Sequence, residues 1–186
     1  MADAIDLTLN DFKEKIGLGT RPNRYTVSLE IPGSSFTLTA EVSAASIPGS
    51  ELPAIRVPFR GRILKMPGDR IYSPWTFTVY DTTKAPIWKH LHDWSNSINT
   101  HAGNITDWEP DDDPFVANWT IKHHDLNGES APIKQINLVN CWPTLVGPIE
   151  LAAGVMDTLT TFTCTAEYEY FTVAGQSDDD DGGRDE

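Results

Sequence analysis

Hydrophobic and polar residues alternate with a period of two along most of this 186-residue chain. In residues 24–31, Tyr25, Val27, Leu29 and Ile31 share one face, while Arg24, Thr26, Ser28 and Glu30 share the other. Residues 36–43 repeat the arrangement, with Phe36, Leu38, Ala40 and Val42 against Thr37, Thr39, Glu41 and Ser43. Pro32 and Gly33 lie between the two runs, which predicts a β-hairpin with one buried face. Further strands are expected at Trp75–Tyr80, 115–123 and 133–142. Asn127 and Gly128, between the last two, favour a tight turn because both tolerate positive φ. The run 159–171 is the clearest. Phe162, Cys164, Ala166, Tyr168 and Tyr170 oppose Thr161, Thr163, Thr165, Glu167 and Glu169, and Thr, Tyr and Phe at this density suit a pleated surface.

Two segments break the period. In 86–98, Ile87, Leu91, Trp94 and Ile98 recur at helical spacing, with Pro86 suited to a first turn where its missing N–H costs nothing. Ile5, Leu9, Phe12 and Ile16 predict a shorter amphipathic helix ending at Gly17. The expected fold is therefore mainly β: an antiparallel β-sandwich or barrel with one packed α-helix, an N-terminal arm and a long protruding hairpin loop. That loop is residues 51–73, which contain Pro53, Pro58, Pro67 and apolar Ile55, Val57 and Phe59 without a compact-core rhythm. Loops of this length are usually functional or disordered. Its mixture of Arg and apolar side chains is that of a protein contact surface, with a plain surface loop as the alternative.

Composition narrows the class. A chain that is 39% hydrophobic and 10% aromatic is too apolar for a disordered protein, and its length suggests one domain of the usual ~100–200 residues. No apolar run approaches the ~18 residues of a membrane span, and no basic segment followed by an apolar core opens the chain, so a secretory signal is not expected. The net charge of -13 argues against gripping nucleic-acid phosphates. Where that charge sits changes the picture. Residues 176–186 hold six acids, Arg184 and no apolar side chain, so 175–186 read as a disordered acidic tail. The remainder has 21 acids and 13 bases, a charge of -8. Five of those acids lie in 107–113, whereas Arg56, Arg60, Arg62, Lys65 and Arg70 place five bases within fifteen residues.

Candidate chemistry is sparse. Cys141 and Cys164 lie in apolar, strand-like segments away from zinc-finger spacing and read as buried free thiols. His90 and His92 diverge on a helix, and His123 and His124 point to opposite faces of a strand, so neither pair predicts a shared metal. Asp111, Asp112 and Asp113 are hard oxygen donors but lack a calcium-loop rhythm, and a solvated acidic loop is the expectation. No nucleophile elbow, zinc-protease, P-loop or dinucleotide motif occurs. No catalytic, cofactor or metal residue is therefore nominated, and the chain is not expected to be an enzyme. Six Trp raise the alternative of a carbohydrate-binding β-sandwich. Trp88 and Trp94 fall on the helix and Trp75, Trp119 and Trp142 in strands, which favours core packing; Trp108, among acids, is the exception.

Several segments in order resemble one family, the tail tube proteins of contractile-tailed, T-even-like bacteriophages. They are Arg21 to Val27 (RPNRYTV), Ala44 to Gly49 (AASIPG), Ile55 to Arg62 (IRVPFRGR), Pro67 to Arg70 (PGDR), Trp75 to Val79 (WTFTV), His92 to Trp94 (HDW) and Asn140 to Gly147 (NCWPTLVG), followed by the β-rich run ending at Tyr170. Together they span about 21 to 171. The acidic stretch 107–113 and the acidic tail have no counterpart in that pattern.

The resemblance implies a domain at 21–174, preceded by an arm at 1–20 and followed by the tail. It implies a structural subunit that forms six-membered rings stacked into a tube, whose lumen conducts viral DNA during ejection. A tube subunit of a related contractile injection system is the neighbouring alternative. Implied partners are other copies of the chain, the tail sheath protein, baseplate and tail terminator proteins, and the tape-measure protein and passing DNA within the lumen. No membrane insertion is implied. The implied location is the virion, after synthesis in the host cytoplasm. The inter-subunit contact would fall on Ile55, Arg56, Val57, Phe59, Arg60, Arg62 and Lys65, the basic ones facing acids on adjacent subunits. Glu30, Glu41, Glu167 and Glu169 are candidates for an acidic lumen wall that disfavours phosphate contact, with the outer surface as the alternative for each.

Overall fold

A computed structural model describes residues 8–17, 19–32, 37–38, 41–83, 86–106, 115–125, 131–154 and 156–174. The Asn127, Gly128 turn, the 107–113 cluster, Trp108 and the acidic tail lie outside the described residues. In chain order the elements are α1 (Leu9–Ile16), β1 (Tyr25–Glu30), β2 (Thr37–Leu38), β3 (Val42–Ala45), β4 (Ser50–Glu51), β5 (Ala54–Phe59), β6 (Arg62–Pro67), β7 (Ile71–Tyr72), β8 (Trp75–Tyr80), α2 (Ile87–Ile98), β9 (Ala117–His123), β10 (Lys134–Val146), β11 (Thr161–Glu167) and β12 (Tyr170–Val173).

β10 organises the strands. Its first part pairs antiparallel with β9 and β12, and its last part pairs with β11. One layer therefore runs β2-β1-β9-β10 with β12 on the far side of β10, and the other runs β10-β11-β8-β3. The change of partner falls at Asn140, whose φ is +54, a value Asn tolerates better than most residues. The register shifts twice nearby, at 138–141 against β9 and at 143–145 against β11, as expected of bulges that bend a strand between layers. Pro143, which has no N–H for a ladder, sits at the second irregularity.

The period-two expectation identifies which residues are buried but not every pairing. Val27, Leu29 and Ile31 are buried, yet the main partner of β1 is β9, through Tyr25 and His123 to Ser28 and Thr120. The expected second hairpin strand is divided. Thr37 and Leu38 pair with β1, while β3 crosses to the other layer and pairs with β8. The 159–171 run likewise divides, because Tyr168 stays buried and Tyr170 emerges across the break between β11 and β12.

Both layers and α2 bury their apolar faces in one core. Trp119 on β9 lies at its centre, with ring centroids 5.9 Å from Trp75, 5.7 Å from Phe77 and 6.0 Å from Trp94. Its indole N–H donates to the Glu30 carbonyl at 2.9 Å, so the buried polar edge is satisfied. Ile87, Leu91 and Trp94 form the buried stripe of α2, which starts directly after Pro86. By contrast α1 opens with a Thr8–Asp11 capping box, and its stripe of Leu9, Phe12 and Ile16 is exposed.

Candidate assembly interface

β5 and β6 stand away from the core as a separate two-stranded sheet, and every residue in both strands is exposed. At the root, Ser50 pairs with Tyr72 and Glu51 with Ile71. The Gly68 N–H donates to the Pro53 carbonyl at 2.7 Å, and a Cβ at Gly68 would approach the same oxygen to 2.7 Å. The tip is a two-residue turn at Arg60 (φ +45) and Gly61 (φ +82), the sign required for a hairpin turn that follows the strand twist. The Arg60 guanidinium lies 5.4 Å from the Phe59 ring centroid, within cation–π range.

The register sorts the side chains. Ile55 pairs with Met66, Val57 with Leu64 and Phe59 with Arg62; between them, Ala54 pairs with Pro67, Arg56 with Lys65 and Pro58 with Ile63. Directly opposed residues point the same way and successive residues point oppositely. One face is therefore apolar, with Arg62 at its outer edge, and the other centres on Arg56 and Lys65. The seven residues expected to form the contact are thus divided between two faces and a tip. Sequence reasoning missed Ile63, Leu64 and Met66, whose exposure matches that of Ile55 and Val57. The signal was the mirror relation of 54–59 and 62–67 about Arg60 and Gly61. An isolated hairpin is marginally stable in water, and this one leaves Ile55, Val57, Phe59, Leu64 and Met66 exposed on one face.

The four expected lumen acids are only partly gathered. Glu30 ends β1, two residues past the Ser28–Thr120 pair. Glu169 lies at the bend before β12, where its carboxylate accepts from Asn140 Nδ2 at 2.6 Å; the Asn140 N–H donates to Asn118 Oδ1 at 3.1 Å. Glu30 and Glu169 thus occupy one end of the first layer, with Asn118 and Asn140 on the strands between. Glu167 precedes the same bend, opposite Trp142. Glu41 lies apart, just before β3, its carbonyl accepting from the Tyr80 N–H at 2.8 Å. Elsewhere on the outward face Thr120 Oγ1 donates to Asn137 Oδ1 at 3.2 Å and the Thr76 and Thr165 hydroxyls lie 3.3 Å apart, while Lys122, opposite Thr26 and Gln135, adds a base to the face of Thr120.

Other reactive side chains serve packing. Cys141 and Cys164 are buried free thiols, and burial pushes each up to about 12, the opposite of an activated nucleophile. His123 Nε2 lies 2.9 Å from the Arg21 carbonyl and His124 Nε2 lies 2.9 Å from Thr26 Oγ1, so the two rings serve different partners. No three His, Cys, Asp or Glu side chains among the described residues converge on a metal position. Trp75, Trp94 and Trp119 are buried in the core and Trp88 and Trp142 pack against it, so none of these five offers an open stacking platform for a sugar.

A family model described as phage tail tube protein matches residues 20–174. The tail tube protein of Serratia phage KSP90 is 27% identical over 170 residues, covering 87% of this chain and 94% of that protein. That of Enterobacteria phage T4 is 24% identical over 151 residues, covering 81% and 90%. Among solved structures, a chain of the PVC extracellular contractile injection system sheath-tube complex in its extended state superposes with a TM-score of 0.61 at 18% identity, covering 86% of this chain and 95% of that one. A chain of the anti-feeding prophage baseplate gives 0.61 at 15% identity, covering 82% and 93%; at these identities the likeness concerns the fold. With a mainly antiparallel β fold and a projecting hairpin, and with a family match over most of its length, the chain belongs to the phage tail tube protein family.

Proposed function

We propose that this chain is the structural subunit of a contractile phage tail tube, in which six copies close a ring and rings stack around a lumen that conducts DNA during ejection. The amphipathic hairpin is the observation that carries this reading. Two exposed faces of different chemistry on one projection fit a heterologous contact, in which one surface of a subunit meets a different surface of the next, and such contacts generate rings or filaments. The apolar face, Ile55, Val57, Phe59, Leu64 and Met66, supplies burial at the neighbour; Arg56, Lys65, Arg60 and Arg62 face its acids and set register. Strand edges left open in the single subunit would be covered in the same ring.

The division into an arm at 1–20, a tube domain at 21–174 and an acidic tail is supported by the extent of the family match. Sheath, baseplate and terminator proteins would contact the assembled tube, and tape-measure protein and DNA would occupy its lumen. The chain would act by assembly, without catalysis, in the virion after synthesis in the host cytoplasm. Glu30 and Glu169, at one end of the first layer, and Glu167, just before the bend that holds Glu169, are the stronger lumen candidates, since acids clustered on a wall disfavour phosphate adhesion within the ~8–10 Å screening length; Glu41 is the weaker. Electron microscopy of purified protein tests the reading. Rings or hollow filaments of uniform width are expected, and a protein that stays monomeric at high concentration would overturn it.

A further inference from the structure

Arg56 and Lys65 face each other directly across the hairpin, and like charges so placed repel. Neither forms an ion pair among the described residues, unlike Lys89, which pairs with Asp93. Arg60 covers the Phe59 ring, and Arg70 donates to Ser50 Oγ at 3.1 Å. The basic face therefore calls for an anionic partner that the described fold does not supply.

We propose that, in the unassembled subunit, the acidic segment 178–186 of the same chain occupies the Arg56–Lys65 face and competes with the neighbouring subunit for it. This rests on the hairpin being the assembly contact and names a partner for its basic side. Three observations converge. Residues 178–186 hold six acids against Arg184, the complement of the unpaired bases. The last described residue, Ala174, also lies only three residues beyond a contact with the hairpin root: Phe171 of β12 packs edge-on against Tyr72 of β7, with centroids 5.5 Å apart, and Tyr72 pairs with Ser50 at that root. Residues 175–186 can reach about 40 Å when extended, against roughly 20 Å for a six-residue strand, so the whole face is within range. Finally, the family match ends at residue 174, so the segment lies beyond the part shared with the family. Exposed ion pairs are individually weak, but a short tether gives an effective concentration on the order of millimolar. Such a contact holds against dilute subunits and yields to a correctly seated neighbour, which buries the apolar face as well.

Zero-length carbodiimide coupling on the dilute, full-length subunit tests the contact. Lys65 is expected to couple to acids of 178–186 in preference to Lys13 or Lys89, and the yield should fall as salt is raised. In a mixture of isotopically labelled and unlabelled subunits the product should lie within one chain. The full-length variant carrying Asp178→Asn, Asp179→Asn, Asp180→Asn and Asp181→Asn should lose the product and assemble at a severalfold lower concentration. Coupling at Lys65 no greater than at Lys13, mixed-isotope products, or an unchanged assembly threshold would each overturn the proposal. Tubes without Lys65 coupling would leave the tube reading standing, whereas Lys65 coupling in a protein that never assembles would sink the tube reading, and the competition with it, and leave only the contact within the chain.

Discussion

Gly147 shows how a single position ties the layers to the helix. Its N–H donates to the Thr163 carbonyl at 2.8 Å, and its own carbonyl accepts from the Trp88 indole at 3.2 Å. A Cβ there would overlap the Thr163 carbonyl oxygen, which belongs to the backbone and has little room to yield. Gly147→Ala should therefore lower stability by about 1–3 kcal/mol, the usual cost of overpacking, read as a fall in denaturant midpoint. Sequence alone placed Gly147 only at the end of a matching segment; the close approach that demands glycine arises from β11, far away in the chain. The thiols are the converse case, since their apolar strand setting already predicted burial. With the folded values of Cys141 and Cys164 raised to about 12, the unfolded chain ionises first as pH climbs past the ordinary thiol range near ~8.5. Their contribution is then complete below that range and is lost as pH rises toward 12. Denaturant stability should fall above about pH 9 more steeply than in the Cys141→Ala, Cys164→Ala variant, and thiol reagents should react only on unfolding.

At the scale of elements, periodicity reports which side of a strand is buried and is silent about its partner. Leu29 and Val42 both obey the alternation and both are buried, yet their strands pair in different layers, because pairing depends on contacts between distant parts of the chain. The hairpin was legible as a projection but its two faces were not, since they depend on register, which is set by the Arg60, Gly61 turn. The faces give separable effects. Val57→Glu or Leu64→Glu should block assembly at every ionic strength by placing a charge in an apolar contact. Arg56→Glu or Lys65→Glu should change the assembly threshold in a salt-dependent way, because exposed charges are screened. Arg60→Glu with Arg62→Glu should weaken stacking and leave the fold intact. Light scattering across a salt series, with circular dichroism as the folding control, distinguishes the cases; identical salt profiles for both faces would remove the division of labour.

For the whole molecule, the distribution of apolar residues points to a protein completed by its copies. Among the described residues, 19 hydrophobic side chains form the buried core and 19 large ones are exposed. Scattered exposed apolar residues are ordinary, but here five of them share the hairpin face and three more, Leu9, Phe12 and Ile16, line α1, which buries nothing. The α1 stripe was visible as a pattern in the sequence, whereas the hairpin face, and the lack of a partner for either among the described residues, became apparent only in the fold. If assembly covers these surfaces, the folded state is stabilised by mass action, since subunits bind the native and not the unfolded chain. Calorimetry should then show a Tm that is constant at low concentration and rises once tubes form. Val57→Glu should abolish the rise while leaving the low-concentration Tm unchanged, because the hairpin contributes nothing to the buried core. A low-concentration Tm that drops with Val57→Glu would instead mean that the hairpin helps hold the single subunit together, and its exposed apolar face would have to be explained by folding rather than by assembly.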